Sequence, residues 1–302
     1  MLRSERGRGL VVVRSRSDIL LILTLLVAVA AATVLAYAPA AQWLAAYNQS
    51  LVVDDYPQSV EEAIPGPEAQ LAEARRYNAA LSSGALLAAN ARVPTSTAAK
   101  GGDFDYSSIL RTDSGVMSRI QIPSIGVDLP IYHGTADETL RRGAGHLEGT
   151  SLPVGGESTH AVITAHRGLP EATMFTDLDR VRVGDLFTVS TFGEVLTYRV
   201  VQTRVVEPSD TETLRQEAGR DLVTLVTCTP LGINSQRILV TGERETPTPP
   251  EALEAATADA AGAGFPWFAV LYAGALVVIG GYGWWMHRPP RRRARDRGTV
   301  AP

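Results

Sequence analysis

Residues 222–243 read LVTLVTCTPLGINSQRILVTGE, two β-branched apolar runs separated by a turn-rich stretch. Val, Leu and Thr at this density suit extended backbone, while Pro230, Gly232 and Asn234 are turn formers. The spacing predicts a hairpin that sets Cys228, ending the first run, beside Arg237, opening the second. The same texture spreads outward from here, beginning near residue 116. Candidate strands are 118–122, 127–132, 160–166, 185–191, 194–206, 222–228 and 236–243, with short helical stretches near 172–178 and 210–217. Many short strands broken by Gly, Pro and Asp predict an all-β barrel or sandwich rather than alternating βαβ units. About 130 residues suffice for one core.

Upstream, residues 67–81 (PEAQLAEARRYNAAL) predict a helix, with Pro67 in its first turn and Leu71, Ala74, Tyr77 and Leu81 at three- and four-residue spacing. Residues 82–103 are small and polar and read as a loop; residues 246–264, rich in Pro, Ala and Gly, read as a flexible spacer.

The ends of the chain have a different character. Residues 19–38 are a twenty-residue run without charge, and Phe265 to Met286 is a second. At ~1.5 Å per residue each spans a hydrocarbon core of ~30 Å. Five arginines precede the first run and six follow the second, so both termini are expected in the cytoplasm and the segment between outside. Residues 1–18 carry +3 and residues 287–302 carry +5; subtracted from the chain's −4, these leave −12 for residues 19–286. An acidic ectodomain excludes nucleic-acid binding, which requires a basic face. A cleaved signal peptide rivals the first anchor because Ala36-Tyr-Ala38 is a small-x-small site, but the run exceeds the usual length of ~7–15 residues. The resulting division is a basic N-terminus (1–18), an anchor (19–38), a pre-barrel region (39–104), a β-rich domain (105–245), a spacer (246–264), a second anchor (265–286) and a basic tail (287–302).

Cys228 is the only cysteine. It forms no intramolecular disulfide and is a poor metal site, which leaves a buried core thiol or a nucleophile. A thiol nucleophile needs an acid/base and a group to stabilise the oxyanion. His166 ends the run His160-Ala-Val-Ile-Thr-Ala-His166 and opens into a Gly-containing loop, a position from which it can reach a pocket mouth. His133, His146 and His160 are equally suited to structural roles, and His287 lies at the inner flank of the second anchor. A lone arginine beside an apolar strand ordinarily extends to water; its functional use is a fixed, always-charged donor fork.

Thr224-Leu-Val-Thr-Cys228 with Arg237 downstream and Ala165-His166-Arg-Gly-Leu-Pro170 upstream resembles the signature of the sortases, cysteine transpeptidases of Gram-positive cell surfaces. The resemblance covers roughly residues 105–245. Ile122-Pro-Ser-Ile-Gly-Val127, Leu129-Pro-Ile-Tyr-His-Gly134 and Gly143-Ala-Gly-His-Leu-Glu-Gly-Thr-Ser-Leu-Pro153 are similar to the pilin-polymerising class C branch. The resemblance implies an eight-stranded sortase β-barrel with short helices, flanked by N- and C-terminal transmembrane helices. It implies that Cys228 attacks the Thr–Gly bond of an LPXTG-like sorting signal, that His166 is the acid/base, and that Arg237 stabilises the oxyanion or orients the signal. Thr227 is implied as a weaker substrate-binding residue. The implied partners are pilin or surface proteins bearing C-terminal sorting signals, with a pilin lysine or a peptidoglycan cross-bridge amine as acceptor; no cofactor or metal is expected. Other readings of the chain are an inert surface-binding barrel and a plain cysteine hydrolase. One departure stands out: class C sortases commonly carry an Asp-Pro-aromatic lid tripeptide after the pre-barrel helix, and Leu87-Ala-Ala-Asn-Ala-Arg-Val-Pro94 lacks it.

Overall fold

A computed structural model of the protein describes residues 16–82, 104–260 and 262–288. The segment read from the sequence as a loop, 82–103, lies almost wholly outside the described residues. Two compact units divide the chain, one made of residues 41–264 and the other of the segments before 41 and after 264.

The terminal unit contains the first part of α1 (Arg16–Glu61) and the whole of α5 (Trp267–Met286), both long and apolar enough to cross a membrane. Within it, Thr33 Oγ1 donates to Val29 O and lies 2.9 Å from the Tyr272 hydroxyl.

In the other unit a closed barrel has the strand order β1-β2-β3-β4-β7-β8-β6-β5. Its strands are β1 (Val116–Ile122), β2 (Val127–His133), β3 (Ala144–His146), β4 (Thr159–Thr164), β5 (Leu186–Thr191), β6 (Glu194–Val206), β7 (Asp221–Thr229) and β8 (Gln236–Glu245). The β2–β3 and β4–β7 pairs are parallel and the others antiparallel. Ile120, Ile131, Ile163, Phe175, Phe187, Tyr198, Val223, Leu225 and Val240 fill the interior. Gly242 lies against Phe187, where any Cβ would collide with the ring.

The all-β barrel expected from the sequence is therefore present, with differences in detail. Strand β3 has only three residues, too short to show a period, and falls outside the candidate strands. The helical stretches expected near 172–178 and 210–217 are single 3-10 turns at Leu178–Arg180 and Glu212–Leu214. A short helix that no sequence pattern signals, α3 (Asp137–Arg142), joins β2 to β3.

Two helical elements brace the barrel. Although the uncharged run ends at Ala38, α1 continues through Pro39 to Glu61. Val53, Tyr56 and Val60 recur at helical spacing and are buried, so tertiary packing stabilises this extension. The Tyr56 hydroxyl donates to Met117 O at 2.9 Å and accepts from Phe192 N at 3.0 Å. Helix α2 (Pro67–Ser82) buries Leu71, Ala74 and Tyr77, and its Asn78 amide pairs with both backbone groups of Leu152.

The segment expected to be a flexible spacer is instead fastened to the barrel. Residues Pro250–Thr257 form α4. Arg119 of β1 lies with its side chain 6% exposed, makes a two-pronged ion pair with Asp128, and donates to the carbonyls of Ala256 and Ala258 at 3.1 and 3.0 Å. Carbonyls at a helix C-terminus lack intrahelical donors and attract cations. The residues that hold this segment lie on β1 and α1, far away in sequence, with Ala260 N also bound to Asp54.

Candidate active site

Strand order and register bring the three candidate residues together. Strands β4, β7 and β8 are consecutive in the barrel. In the antiparallel β7–β8 pair, Cys228 is opposite Arg237, in agreement with the hairpin spacing. In the parallel β4–β7 pair every partner is 62 positions away, up to Thr164↔Val226. The chain keeps this offset past the end of β4. Thr227 Oγ1 donates to Ala165 O at 2.8 Å, and Arg167 Nη1 donates to Thr229 Oγ1 at 2.9 Å. These two contacts bracket His166, and the same offset carried past the end of β4 sets it level with Cys228 on the neighbouring strand.

Side-chain alternation sets the face. Ala161, Ile163, Val223, Leu225, Ile238 and Val240 point into the core, so Val162, Val226 and Leu239 lie on the outer face, where they form a separate apolar cluster edged by Leu147, Val206 and Leu214. Cys228, Arg237 and, by continuation, His166 share the parity of this outer strip. Thr227 has the opposite parity. It is 1% exposed, and its hydroxyl is engaged by Ala165. The structure thus places the Thr227 side chain on the inward face, away from the face that Cys228 occupies.

Loop contacts hold each residue. Phe175 N donates to His166 O at 3.0 Å, and Ala165 N donates to Val226 O. Arg167, with its side chain 8% exposed, also pairs with Asp179 at 2.9 Å and donates to Thr176 O. Gly168 has φ +74 and lies against Leu231, so the loop after His166 seats on the β7–β8 loop through a conformation that favours glycine. Arg237 Nη1 donates to the carbonyls of Asn234 and Gln236, both at 2.9 Å. Its Nε and Nη2 make no hydrogen bond among the described residues, and no carboxylate there lies within ion-pair range of it. Those donors can receive an oxyanion. Cys228 is a free, half-buried thiol.

The other histidines of this unit are engaged structurally. His146 is fully buried; its Nε2–H donates to Ser151 O and its Nδ1 accepts from the Tyr106 hydroxyl. His160 Nδ1–H donates to Arg215 O while Nε2 accepts from Thr224. His133 donates to Ile109 O at 2.7 Å. Burial lowers the pKa of all three, and that of His146 falls to about 4. The unfolded chain, near 6.5, thus takes up the His146 proton before the native state does, and stability is lost as pH falls from about 6.5 to about 4. A gap of this size corresponds to roughly 3 kcal/mol. Denaturation midpoints of the full chain should fall across that window, with a shallower slope in His146→Gln; equal slopes would contradict this.

His166 differs from these three. Its Nε2 is buried without a hydrogen bond, yet lies 3.2 Å from Asp137 Oδ1. The two observations agree if the carboxylate sits off the N–H axis, close enough for an ion pair but misaligned for a bond. Asp137 opens α3 and is not among the candidate residues of the sequence; an acidic residue opening a six-residue turn carries no signal of its own. Among the described residues no cluster of His, Cys, Asp and Glu is suited to hold a metal.

Residues 120–245 match the Sortase domain family. The chain is 30% identical over 131 residues to sortase D of Bacillus subtilis, covering 42% of this chain and 63% of that protein. Sortase A proteins of Streptococcus agalactiae and Bacillus anthracis match over 53% and 59% of their lengths, so the chain spans less than two thirds of these curated relatives. Among solved structures, sortase C-1 of Actinomyces oris is 50% identical with a TM-score of 0.53, covering 59% of this chain and 98% of that one. Sortase C of Streptococcus pneumoniae is 38% identical with a TM-score of 0.56, covering 66% and 98%. The barrel, the outer-face trio of Cys228, His166 and Arg237, and these matches lead to one conclusion: this chain belongs to the sortase family of cysteine transpeptidases.

Proposed function

We propose that the protein is a class C sortase that joins pilin subunits. The Cys228 thiolate attacks the threonine carbonyl of an LPXTG-like signal, with Arg237 facing the oxyanion. The C–N bond to glycine breaks as His166 protonates the departing amine, leaving a thioester on Cys228. A lysine amine of the next subunit then attacks, transfers its proton to His166 and releases Cys228. Splitting amide exchange into two acyl transfers lowers each barrier and conserves the bond energy in the thioester. The observation that carries this reading is the convergence of Cys228, His166 and Arg237 on one outer face of the barrel. The apolar strip of Val162, Val226 and Leu239 beside them suits the apolar residues of a sorting signal. Pilin as the partner is supported by the solved Streptococcus pneumoniae sortase C, whose description concerns pilin substrate specificity. The two apolar helices are consistent with an anchored enzyme whose catalytic domain faces outward and whose termini are cytoplasmic.

The test is an acyl-transfer assay with the full chain in detergent, a sorting-signal peptide, and either a pilin fragment bearing an acceptor lysine or a cross-bridge amine. Transfer to the lysine is expected. Transfer to the cross-bridge amine alone would instead identify an enzyme that attaches proteins to the wall. Release by water alone would identify a hydrolase, and no cleavage at all would leave an inert barrel.

A further inference from the structure

His166 must exchange a proton twice per cycle in the proposed reaction, and such a group needs a fixed orientation. The main-chain contacts of the loop fix its backbone but not its ring. Nε2 is enclosed and lacks a hydrogen bond among the described residues. Buried polar atoms without partners are rare and call for an explanation. Within ion-pair distance of it, among the described residues, lies a single carboxylate, Asp137.

Asp137 is itself held in place. Its Oδ2 accepts from Arg141 Nε at 2.9 Å, one helical turn along α3, while Oδ1 faces the imidazole at 3.2 Å. Each oxygen therefore has its own partner. Arg141, the largest cause, together with the nearby His166, holds the Asp137 carboxyl below the usual carboxylate range, so it is an anion at neutral pH. Hydrogen bonds at a catalytic centre are often misaligned before substrate binds, and a modest ring rotation would bring Nε2–H onto Oδ1.

We infer that Asp137 is a positioning residue that retains the proton on Nε2 of His166 and leaves Nδ1 to carry out the acid/base exchange. The inference rests on the proposed acyl transfer. Nδ1–H gives its proton to the leaving amine as the C–N bond breaks, and the ring becomes neutral imidazole with its remaining proton on Nε2. Nδ1 then takes a proton from the attacking lysine amine, restoring imidazolium. Asp137 stays ionised throughout and stabilises the cationic state. Because Asp137 is 65% exposed, its effect is screened by solvent and smaller than that of a buried triad carboxylate.

The experiment is a double-mutant cycle on the full chain in detergent, reading kcat and KM separately for a sorting-signal peptide. Asp137→Asn should lower kcat about tenfold with KM nearly unchanged, and Asp137→Glu should recover most of the loss because it restores the anion. On a His166→Ala background Asp137→Asn should cost nothing further, since residues acting through one group are non-additive. The inference is overturned if Asp137→Asn turns over like the parent, if Asp137→Glu is no better than Asp137→Asn, or if the loss persists on the His166→Ala background. Cys228→Ala, run alongside, separates the two levels. If that variant retains transfer, the acyl-transfer reading fails; if it is inert while Asp137→Asn is unaffected, only the positioning role fails.

Discussion

Cys228→Ala is expected to abolish both cleavage of the sorting signal and transfer to an amine, leaving no thioacyl intermediate by mass spectrometry. The chain has no second cysteine to substitute for it. Removing the attacking atom removes the covalent route itself rather than a stabilising contribution, and orientation by the surrounding groups cannot replace a missing nucleophile. The fold should survive. Cys228 is half-buried at the outer edge of the barrel, and its strand is held by backbone pairing to both β4 and β8. The informative result is thus an unchanged unfolding midpoint with no turnover. Amine transfer persisting above the uncatalysed rate would refute the nucleophile assignment.

His166→Ala should lower kcat/KM by about 10²–10⁴-fold, the usual worth of a positioned general acid/base. Both half-reactions should slow, because the same ring protonates the leaving amine and deprotonates the incoming one. Stability should change little. The ring makes no hydrogen bond among the described residues, and the contact that anchors the loop, from Phe175 N, goes to the His166 carbonyl, which alanine keeps. His146→Ala and His160→Ala provide the contrast: each removes a buried ring bonded through both nitrogens and should cost stability first. Rate losses in His166→Ala that merely track a fall in stability would reduce His166 to a structural residue.

Much of this arrangement is legible in the amino-acid sequence. The β-branched runs on either side of Cys228 and Arg237 specify strands, and the six-residue turn Pro230–Ser235 allows only a close antiparallel return, so their pairing follows from local chemistry. The helix at Pro67–Ser82 is likewise encoded in its spacing of apolar residues. By itself the sequence determined the alternation of strands, the two apolar ends and which residues are candidates to carry acyl transfer. Tertiary structure alone decided which of them face one another. The 62-residue offset that levels His166 with Cys228 is a property of a parallel pair whose strands are distant in sequence. The inward parity of Thr227, the approach of Asp137 to His166 Nε2, and the anchoring of Ala256 and Ala258 by Arg119 have the same origin. Each joins segments that lie far apart in the sequence. A local pattern encodes the period of an element, but register between distant strands is set by the burial that all of them achieve together.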